Sequence, residues 1–254
     1  MLEAVILGII QGLTEFFPVS STAHLVLVPW FMNWSGQVST LAFDVALHGG
    51  TLLALLLYFW RDWLSMLTSR RRLLGLVLLA TVPAGIVGVS LEGLVETTLR
   101  GPLVIAFSLV VFGLYMLWAE RFPQKRKLSD VNFIDALVIG LSQAMAVVPG
   151  VSRSGITIST GLMRNLNRED AARFSFFLSG PVIGGAFVLE MKDILAGPSQ
   201  WDMGPLVAGF VAAFLSGLFA IRFLLWFFRR FPLNVFVYYR VVIAVIIVIT
   251  WLQG

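Results

Sequence analysis

The chain has 254 residues, of which 58% are hydrophobic and 13% charged, and it contains no cysteine. Soluble domains carry about 25% charged residues, so this composition excludes an ordinary soluble domain and indicates a polytopic membrane protein. The net charge of +4 does not indicate nucleic-acid binding, because the basic residues lie at the ends of apolar stretches, where they orient a membrane protein. Disulfide bonds are excluded.

Two kinds of apolar stretch follow one another along the chain. Two short ones, 3–17 and 133–148, each end at a break, Pro18 and Pro149-Gly150, and then restart; such interrupted pairs are typical of re-entrant helix-loop-helix hairpins. We therefore expect an all-α membrane protein with two re-entrant hairpins and about six transmembrane helices, each of about 20 residues. The six predicted spans are 41–60, 73–91, 101–119, 172–190, 205–228 and 234–253.

The sequence around the first break recurs 132 positions later. Gln11–Leu25, QGLTEFFPVSSTAHL, aligns with Gln143–Thr157, QAMAVVPGVSRSGIT, and the match extends to the residues before both segments. Two copies of one polar hairpin in an apolar chain suggest two half-sites that face each other in the membrane. We predict a single domain, 1–254, that contains two inverted repeats, 1–120 and 133–254.

The distribution of Lys and Arg predicts the orientation. Thirteen of the 18 fall in segments predicted to share one side, and only Arg100 and Lys192 lie clearly in opposite loops. The basic side should be cytoplasmic. Both termini and the first hairpin then belong to the outer face, whereas the second hairpin starts and returns on the cytoplasmic side. The basic segments are 61–72, 121–132, 164–173 and 229–230.

Gln11 and Glu15 are the first candidate site residues. Their i, i+4 spacing places both on one helix face. Two oxygen-bearing side chains can hold a hard divalent cation, with phosphate oxygens and water completing its shell. The alternative is a hydrogen-bonded pair that holds helices together.

A cluster of hydroxyls follows the break at Pro18. Ser20, Ser21 and Thr22 begin the second half-helix, whose free backbone N–H groups and partial positive charge suit a phosphate. His24 lies within one turn of either serine and can take a proton from a nucleophilic hydroxyl. The alternatives are ordinary N-capping by the serines and a core histidine bonded to a carbonyl.

The second hairpin tip combines glycines, hydroxyls and one arginine. Gly150 allows close approach of the backbone to a ligand. Arg153 offers a planar fork for phosphate oxygens, and the alternative partner for its charge is Glu15 of the first hairpin. The hydroxyls belong to Ser152, Ser154 and Thr157.

Several polar residues outside the hairpins are also candidates. Asp44, His48 and Thr51 lie near the outer end of the first full span, either lining the site or as surface or interface residues. Arg240 lies inside the last span, where a charge is costly; the sequence leaves its partner open.

The two hairpins resemble those of the undecaprenyl-diphosphatase family, also called bacitracin-resistance proteins. The resemblance rests on (E/Q)xxxE at Gln11–Glu15, PVSSxxH at Pro18–His24 and PGxSRSxxT at Pro149–Thr157, and it extends over essentially the full length. It implies a phosphatase of the bacterial cytoplasmic (inner) membrane that converts undecaprenyl diphosphate to undecaprenyl phosphate and inorganic phosphate. This reaction would recycle the lipid carrier of cell-wall synthesis and would give bacitracin resistance.

The resemblance also implies a divalent cation, Mg²⁺ or Ca²⁺, a polyprenyl diphosphate substrate, and a site open to the outer face. A homodimer is one option for the assembly. We expect Glu15, Ser21, His24 and Arg153 to be catalytic and Gln11 with Glu15 to bind the metal. The predicted substrate-binding residues are Ser20, Thr22, Gly150, Ser152, Ser154 and Thr157.

The sequence leaves two choices open. In the favoured mechanism Ser21, or else Ser20, attacks the terminal phosphorus with His24 or Glu15 as base; in the other, a metal-activated water attacks and the serines only bind. A different function, transport or flipping of a phosphate-bearing lipid, would also use inverted repeats with broken helices. The family resemblance favours the enzyme.

Overall fold

The architecture is helical throughout the residues described by a computed structural model, which are 1–94, 98–196 and 202–253. Within these ranges no strand is formed, and an isolated bridge joins Arg126 to Leu166. The all-α prediction is confirmed. The helices are α1 (Leu2–Phe16), α2 (Ser21–Met32), α3 (Leu41–Tyr58), α4 (Trp60–Thr68), α5 (Arg71–Leu94), α6 (Pro102–Ala119), α7 (Phe133–Ala144), α8 (Arg153–Met163), α9 (Arg168–Ala196), α10 (Met203–Phe228) and α11 (Asn234–Gln253).

Five of the described helices, α5, α6, α9, α10 and α11, are long and apolar enough to cross a membrane. The sixth predicted span is α3 together with α4, which turns by 67° at a short break. The predicted loop at 61–72 is therefore partly wrong: α4 is a helix that buries Met66 and exposes Arg61. Lys192, predicted in a loop, lies within α9, because that helix continues to Ala196.

Helices of each half of the chain pack against helices of the other half. Helix α1 packs on α10, and its counterpart α7 packs on α5. In the same way α3 contacts α10, and α9 contacts α5, whereas the counterparts α6 and α11 pack on each other. Two equivalent, interlocked halves require this pattern. It supports the division into 1–120 and 133–254, which stays a prediction.

Two glycines 132 positions apart allow the closest of these helix contacts. A Cβ atom at Gly8 would lie 2.4 Å from the carbonyl oxygen of Gly209 in α10. A Cβ atom at Gly140 would lie 2.6 Å from the carbonyl oxygen of Ala80 in α5. Small residues let membrane helices approach at backbone distance, where van der Waals packing is strongest. The hairpin helices α1 and α7 are therefore fixed firmly against the opposite halves.

An aromatic core lies next to the first hairpin, and apolar side chains cover the outside. The rings of Phe16 and Phe176 pack edge to face at 5.4 Å, and those of Phe59 and Phe177 at 5.1 Å. On the lateral faces, residues such as Phe107 remain 70% exposed. Exposed apolar surface on this scale is typical of a face that meets lipid.

The basic loops lie together at one end of the bundle, where ion pairs tie helices to one another. Asp135 at the start of α7 is fully buried and forms ion pairs with Arg126 and Arg164. At the opposite end, the Gln37 amide donates to the backbone oxygen of Asp202 at 2.8 Å. The other cross-helix pairs at the basic end are Glu120–Arg168, at 2.6 Å, and Glu169–Arg229, at 2.7 Å.

Candidate active site

Both hairpins turn through a serine in a strained conformation. Ser20 has φ 75° and ψ 98°, and Ser152, at the matching position, has φ 72° and ψ 109°. A non-glycine residue in such a region costs on the order of 1–3 kcal/mol, and such strain clusters at functional sites. Each serine immediately precedes a helix, so the strain turns the N-termini of α2 and α8 sharply away from the preceding helices.

The two hairpin tips contact each other directly. The backbone N–H of Gly150 donates to the Ser20 hydroxyl oxygen at 3.2 Å. The Ser154 hydroxyl donates to the backbone oxygen of Phe17 at 3.0 Å. Because each hydrogen bond joins one half of the chain to the other, the positions of Ser21 and Arg153, one residue beyond the two strained serines, are set jointly.

Arg240 of α11 lies behind both tips. Its side chain is fully buried, and its guanidinium donates to the backbone oxygens of Pro18 at 3.2 Å and Gly150 at 2.6 Å. Further bonds reach the oxygens of Val151 and of two residues in α6. The carbonyls freed at the two helix breaks therefore find a donor inside the protein, as a membrane interior requires.

Glu15 is the centre of the polar cluster. Its Oε1 accepts from Arg153 Nη2 at 2.6 Å, and its Oε2 accepts from the Ser21 hydroxyl at 2.7 Å. The Gln11 amide donates to Oε2 at 3.0 Å, and His48 Nε2 lies 3.8 Å from the same oxygen. The predicted catalytic residues Glu15, Ser21 and Arg153 are thus brought together, from two hairpins that are far apart in sequence.

All of these groups except Gln11 line a cavity of about 570 Å³. Ser21 at the start of α2 and Arg153 at the start of α8 both face it, so two helix N-termini converge on one space. Their partial positive charges and the Arg153 guanidinium make the cavity suitable for an anion with several oxygens, such as a diphosphate. The predicted site residues that line it are Glu15, Ser20, Ser21, Thr22, Ser152 and Arg153, and His48 and Gln143 join them.

His24 lies apart from that cavity lining. Its Nδ1 is 2.7 Å from the backbone oxygen of Ser20, so Nδ1 donates, and its Nε2 then accepts from the Tyr239 hydroxyl at 2.7 Å. Both ring nitrogens are therefore engaged away from Ser21. In this arrangement the group that can take the Ser21 proton is Glu15, and a proton-transfer role for His24 stays a prediction.

Three further predicted residues support the tip rather than line the cavity. Thr157 is buried, donates to the backbone oxygen of Arg153 at 2.7 Å, and lies 2.6 Å from the Ser175 hydroxyl. Gly150 and Ser154 make the contacts between tips described above. Of the outer-end candidates, His48 faces the cavity, whereas Thr51 is buried and donates to the His48 backbone oxygen.

The predicted metal ligands do not by themselves form a cation site. Among the described residues no three of His, Cys, Asp and Glu are grouped closely enough to hold a metal ion. Glu15 contributes the carboxylate, and donors already occupy both of its oxygens. The carbonyl oxygen of Gln11 is buried without a hydrogen-bond partner, while its amide nitrogen faces Glu15. Any hard cation would need most of its oxygen ligands from another molecule.

Two residues of the site were not predicted from the sequence. Tyr239, which binds His24, and Ser175, which contacts Thr157, carry no motif, so no sequence signal identified them. Gln143 was noted for its position in the repeat, but it lines the cavity, whereas its counterpart Gln11 is buried and does not. Arg240 was a candidate because of its charge inside an apolar span, and the structure supplies the backbone partners that the sequence left open.

The chain is similar to known proteins over nearly its whole length. The family model for bacitracin resistance protein BacA matches residues 4–246. An undecaprenyl-diphosphatase from Thermodesulfovibrio yellowstonii is 48% identical over 97% of this chain and 96% of its own. Undecaprenyl-diphosphatases from Moorella thermoacetica and Desulforudis audaxviator are 44% and 46% identical, over 100% and 99% of this chain and 99% and 98% of their own.

The position of Arg153 generates a first prediction. Arg153→Lys keeps the charge but loses the planar fork that reaches Glu15 and phosphate oxygens together, so phosphate release should fall roughly 100-fold. Arg173→Lys, in the ion pair with Glu169 at the basic end, is the matched control and should stay near wild type. Both variants are compared by their initial rates on a long-chain prenyl diphosphate. Near-normal rates for Arg153→Lys would refute a role for Arg153 in binding the phosphate oxygens.

Proposed function

The chain belongs to the bacitracin resistance protein BacA family, and on that basis we propose that it hydrolyses undecaprenyl diphosphate to undecaprenyl phosphate and inorganic phosphate. The observation that carries the proposal is the hydrogen bond from Ser21 to Glu15, beside Arg153 and two converging helix N-termini. Relatives that match nearly the whole chain are named for this activity. The substrate's diphosphate belongs in the cavity and its polyprenyl tail in the membrane.

Ser21 is the proposed nucleophile in the first step. Its Oγ attacks the terminal phosphorus as its proton passes to Glu15 Oε2, 2.7 Å away. The bond from that phosphorus to the bridging oxygen breaks, and the electron pair leaves with undecaprenyl phosphate. Arg153 and the N–H groups at the start of α2 and α8 stabilise the charge on the phosphoryl oxygens.

Water completes the reaction in the second step. Glu15 first passes its proton to the departing undecaprenyl phosphate or to solvent, and it is then a carboxylate again. It then takes a proton from a water molecule that attacks the phosphoserine. The bond between phosphorus and Ser21 Oγ breaks, Oγ recovers a proton from Glu15, and inorganic phosphate leaves.

The surroundings of the two serines favour Ser21 over Ser20. Ser21 is partly exposed, lines the cavity and donates to a carboxylate. Ser20 is 2% exposed, and its oxygen accepts the Gly150 N–H and lies 3.3 Å from the Thr22 hydroxyl. Ser20 is thus occupied in joining the tips, which supports a structural part for it.

We further propose that the divalent cation, Mg²⁺ or Ca²⁺, arrives with the diphosphate. A diphosphate offers several hard oxygen ligands at once, whereas the two predicted protein ligands offer one carboxylate, at Glu15, and, after rotation of its amide, one oxygen at Gln11. The cation would neutralise charge on the phosphate oxygens. Since the protein ligands are few, affinity for the cation alone should be weak.

The protein is a multi-pass membrane protein, and we propose that it lies in the cytoplasmic (inner) membrane with its cavity open to the outer face. Arg100 and Glu190, from the end opposite the basic loops, belong to the cavity lining. Apolar residues of α5 and α9, such as Val89 and Ile183, form its walls and suit the start of a lipid tail. The spent diphosphate lipid would enter from the side of the membrane.

Activity is tested most directly with purified protein in detergent. Phosphate should be released from undecaprenyl diphosphate, and a chelator should lower the rate, which added Mg²⁺ or Ca²⁺ restores. A phosphate assay with each cation measures both effects. Tight lipid binding without phosphate release in any cation would overturn the enzyme and favour a transporter of a phosphate-bearing lipid.

The nucleophile is tested with paired substitutions. Ser21→Ala removes the attacking oxygen, so turnover should fall at least about 1,000-fold while substrate binding persists. Ser20→Ala loses one tip contact and should be milder. Mass spectrometry of acid-quenched wild type should detect phosphate on Ser21. Substantial activity in Ser21→Ala, with loss in Glu15→Gln and no phosphoenzyme, would instead assign the attack to a metal-activated water.

Orientation is tested with single cysteines, which the natural chain lacks. Ser35 and Ser69 are exposed and lie near opposite ends of the bundle, so each is replaced singly by cysteine. In intact cells an impermeant maleimide should label the first and spare the second, since the basic end is cytoplasmic. Labelling of both variants from outside would contradict the inverted arrangement.

A further inference from the structure

We propose that Arg240 is a positioning residue for catalysis, which holds the two hairpin tips in register through their backbone carbonyls. The inference rests on the proposed function, because register is measured here by its effect on hydrolysis. Arg240 is not among the residues that line the cavity, so it acts through the tips and not on the substrate.

The contacts of Arg240 span both halves of the chain. Nη1 donates to the Pro18 oxygen of the first tip at 3.2 Å. Nη2 donates to the oxygens of Gly150, at 2.6 Å, and Val151, at 3.2 Å, in the second tip. Nε donates to the Leu109 oxygen in α6 at 3.0 Å. One planar group therefore fixes both breaks to each other and to the span beside them.

The chemistry of these contacts explains why an arginine is needed. The side chain of Arg240 is fully buried, and within the described part of the chain its hydrogen-bond partners are neutral carbonyl oxygens. Its delocalised charge is balanced by several backbone dipoles rather than by one carboxylate. Five N–H donors in a rigid fork can reach all of them, whereas a lysine has three donors on one nitrogen and cannot bridge both tips.

Loss of this register would separate groups that must act together. Pro18 lies three residues before Ser21, and Gly150 lies three residues before Arg153. A shift of one tip against the other would move the Ser21 oxygen relative to the guanidinium that binds the phosphate. Misplacement by about 1 Å can cost 100-fold in rate even when the substrate still binds.

The tyrosine beside Arg240 adds a second hold on the first tip. The Tyr239 hydroxyl donates to His24 Nε2 at 2.7 Å, and His24 Nδ1 donates to the backbone oxygen of Ser20 at 2.7 Å. Adjacent residues of α11 thus hold the carbonyl of Pro18 directly, through Arg240, and that of Ser20 indirectly, through Tyr239 and His24. The last span therefore supports the whole turn that presents Ser21.

The test compares Arg240→Lys and Arg240→Gln with Arg222→Lys, an exposed arginine of α10, as the matched control. Both Arg240 variants should lower kcat about 100-fold and change KM by less than about threefold, because binding groups remain while their register is lost. The control should keep wild-type values. Hydrogen–deuterium exchange gives a readout that does not depend on activity: amides in 19–22 and 150–153 should exchange faster in both variants.

Each outcome decides the proposal. Wild-type kcat in Arg240→Lys, or unchanged exchange at the tips, would overturn it. A rise in KM alone would assign Arg240 to binding and overturn it as well. If neither variant folds in detergent, Arg240 serves folding and not register, which also overturns the proposal. Failure of the wild-type protein to release phosphate would refute the proposed function separately. Hydrogen–deuterium exchange at the two tips would still show whether Arg240 holds them in register.

Discussion

The backbone carbonyls exposed where two helices break inside the membrane impose the main constraint on this protein. Water cannot satisfy them there, so the protein must supply donors. Arg240 does so for both breaks at once, with hydrogen bonds to Pro18, Gly150 and Val151. Because its partners come from both halves, the same contacts that permit the breaks also set their relative position. The hydrogen bonds that satisfy these buried carbonyls therefore also position the residues of the site.

The site itself exists only where the halves meet. Glu15 comes from the first hairpin and Arg153 from the second, and their 2.6 Å ion pair crosses between them. The Ser21 hydroxyl that bonds to Glu15 also belongs to the first half, so this bonded cluster is completed by the Arg153 guanidinium of the second. Strain at Ser20 and Ser152 turns both helix N-termini toward the shared cavity. Fixed dipoles placed in this way can act on developing charge without having to reorient.

The two histidines of the chain illustrate how a fold separates chemistry from support. His24 belongs to a motif, yet both of its nitrogens bind other parts of the first hairpin and α11. His48 has no such motif position, yet its ring lies in the cavity wall with Nε2 toward Glu15. Its orientation follows from the bond between Nδ1 and the Asp44 carbonyl, at 2.8 Å. Proximity to the reacting groups thus differs from what spacing along the helix indicates.

The sequence alone determined the helical class, the apolar spans and the two broken hairpins, because hydropathy, Pro18 and Gly150 act over a few neighbouring residues. The repeat and its motifs also identified Glu15, Ser21 and Arg153, since unsatisfied polar groups in an apolar chain indicate a site by themselves. The repeat could not say which side chains would face the cavity.

Only the tertiary structure decided the partners that lie far along the chain. Tyr239 meets His24 across 215 positions, and Arg240 reaches Pro18 across 222. Such contacts depend on how helices pack in three dimensions, and no local period encodes them. The turn between α3 and α4 has the same origin: an apolar run specifies that a helix forms, but its neighbours determine where it bends.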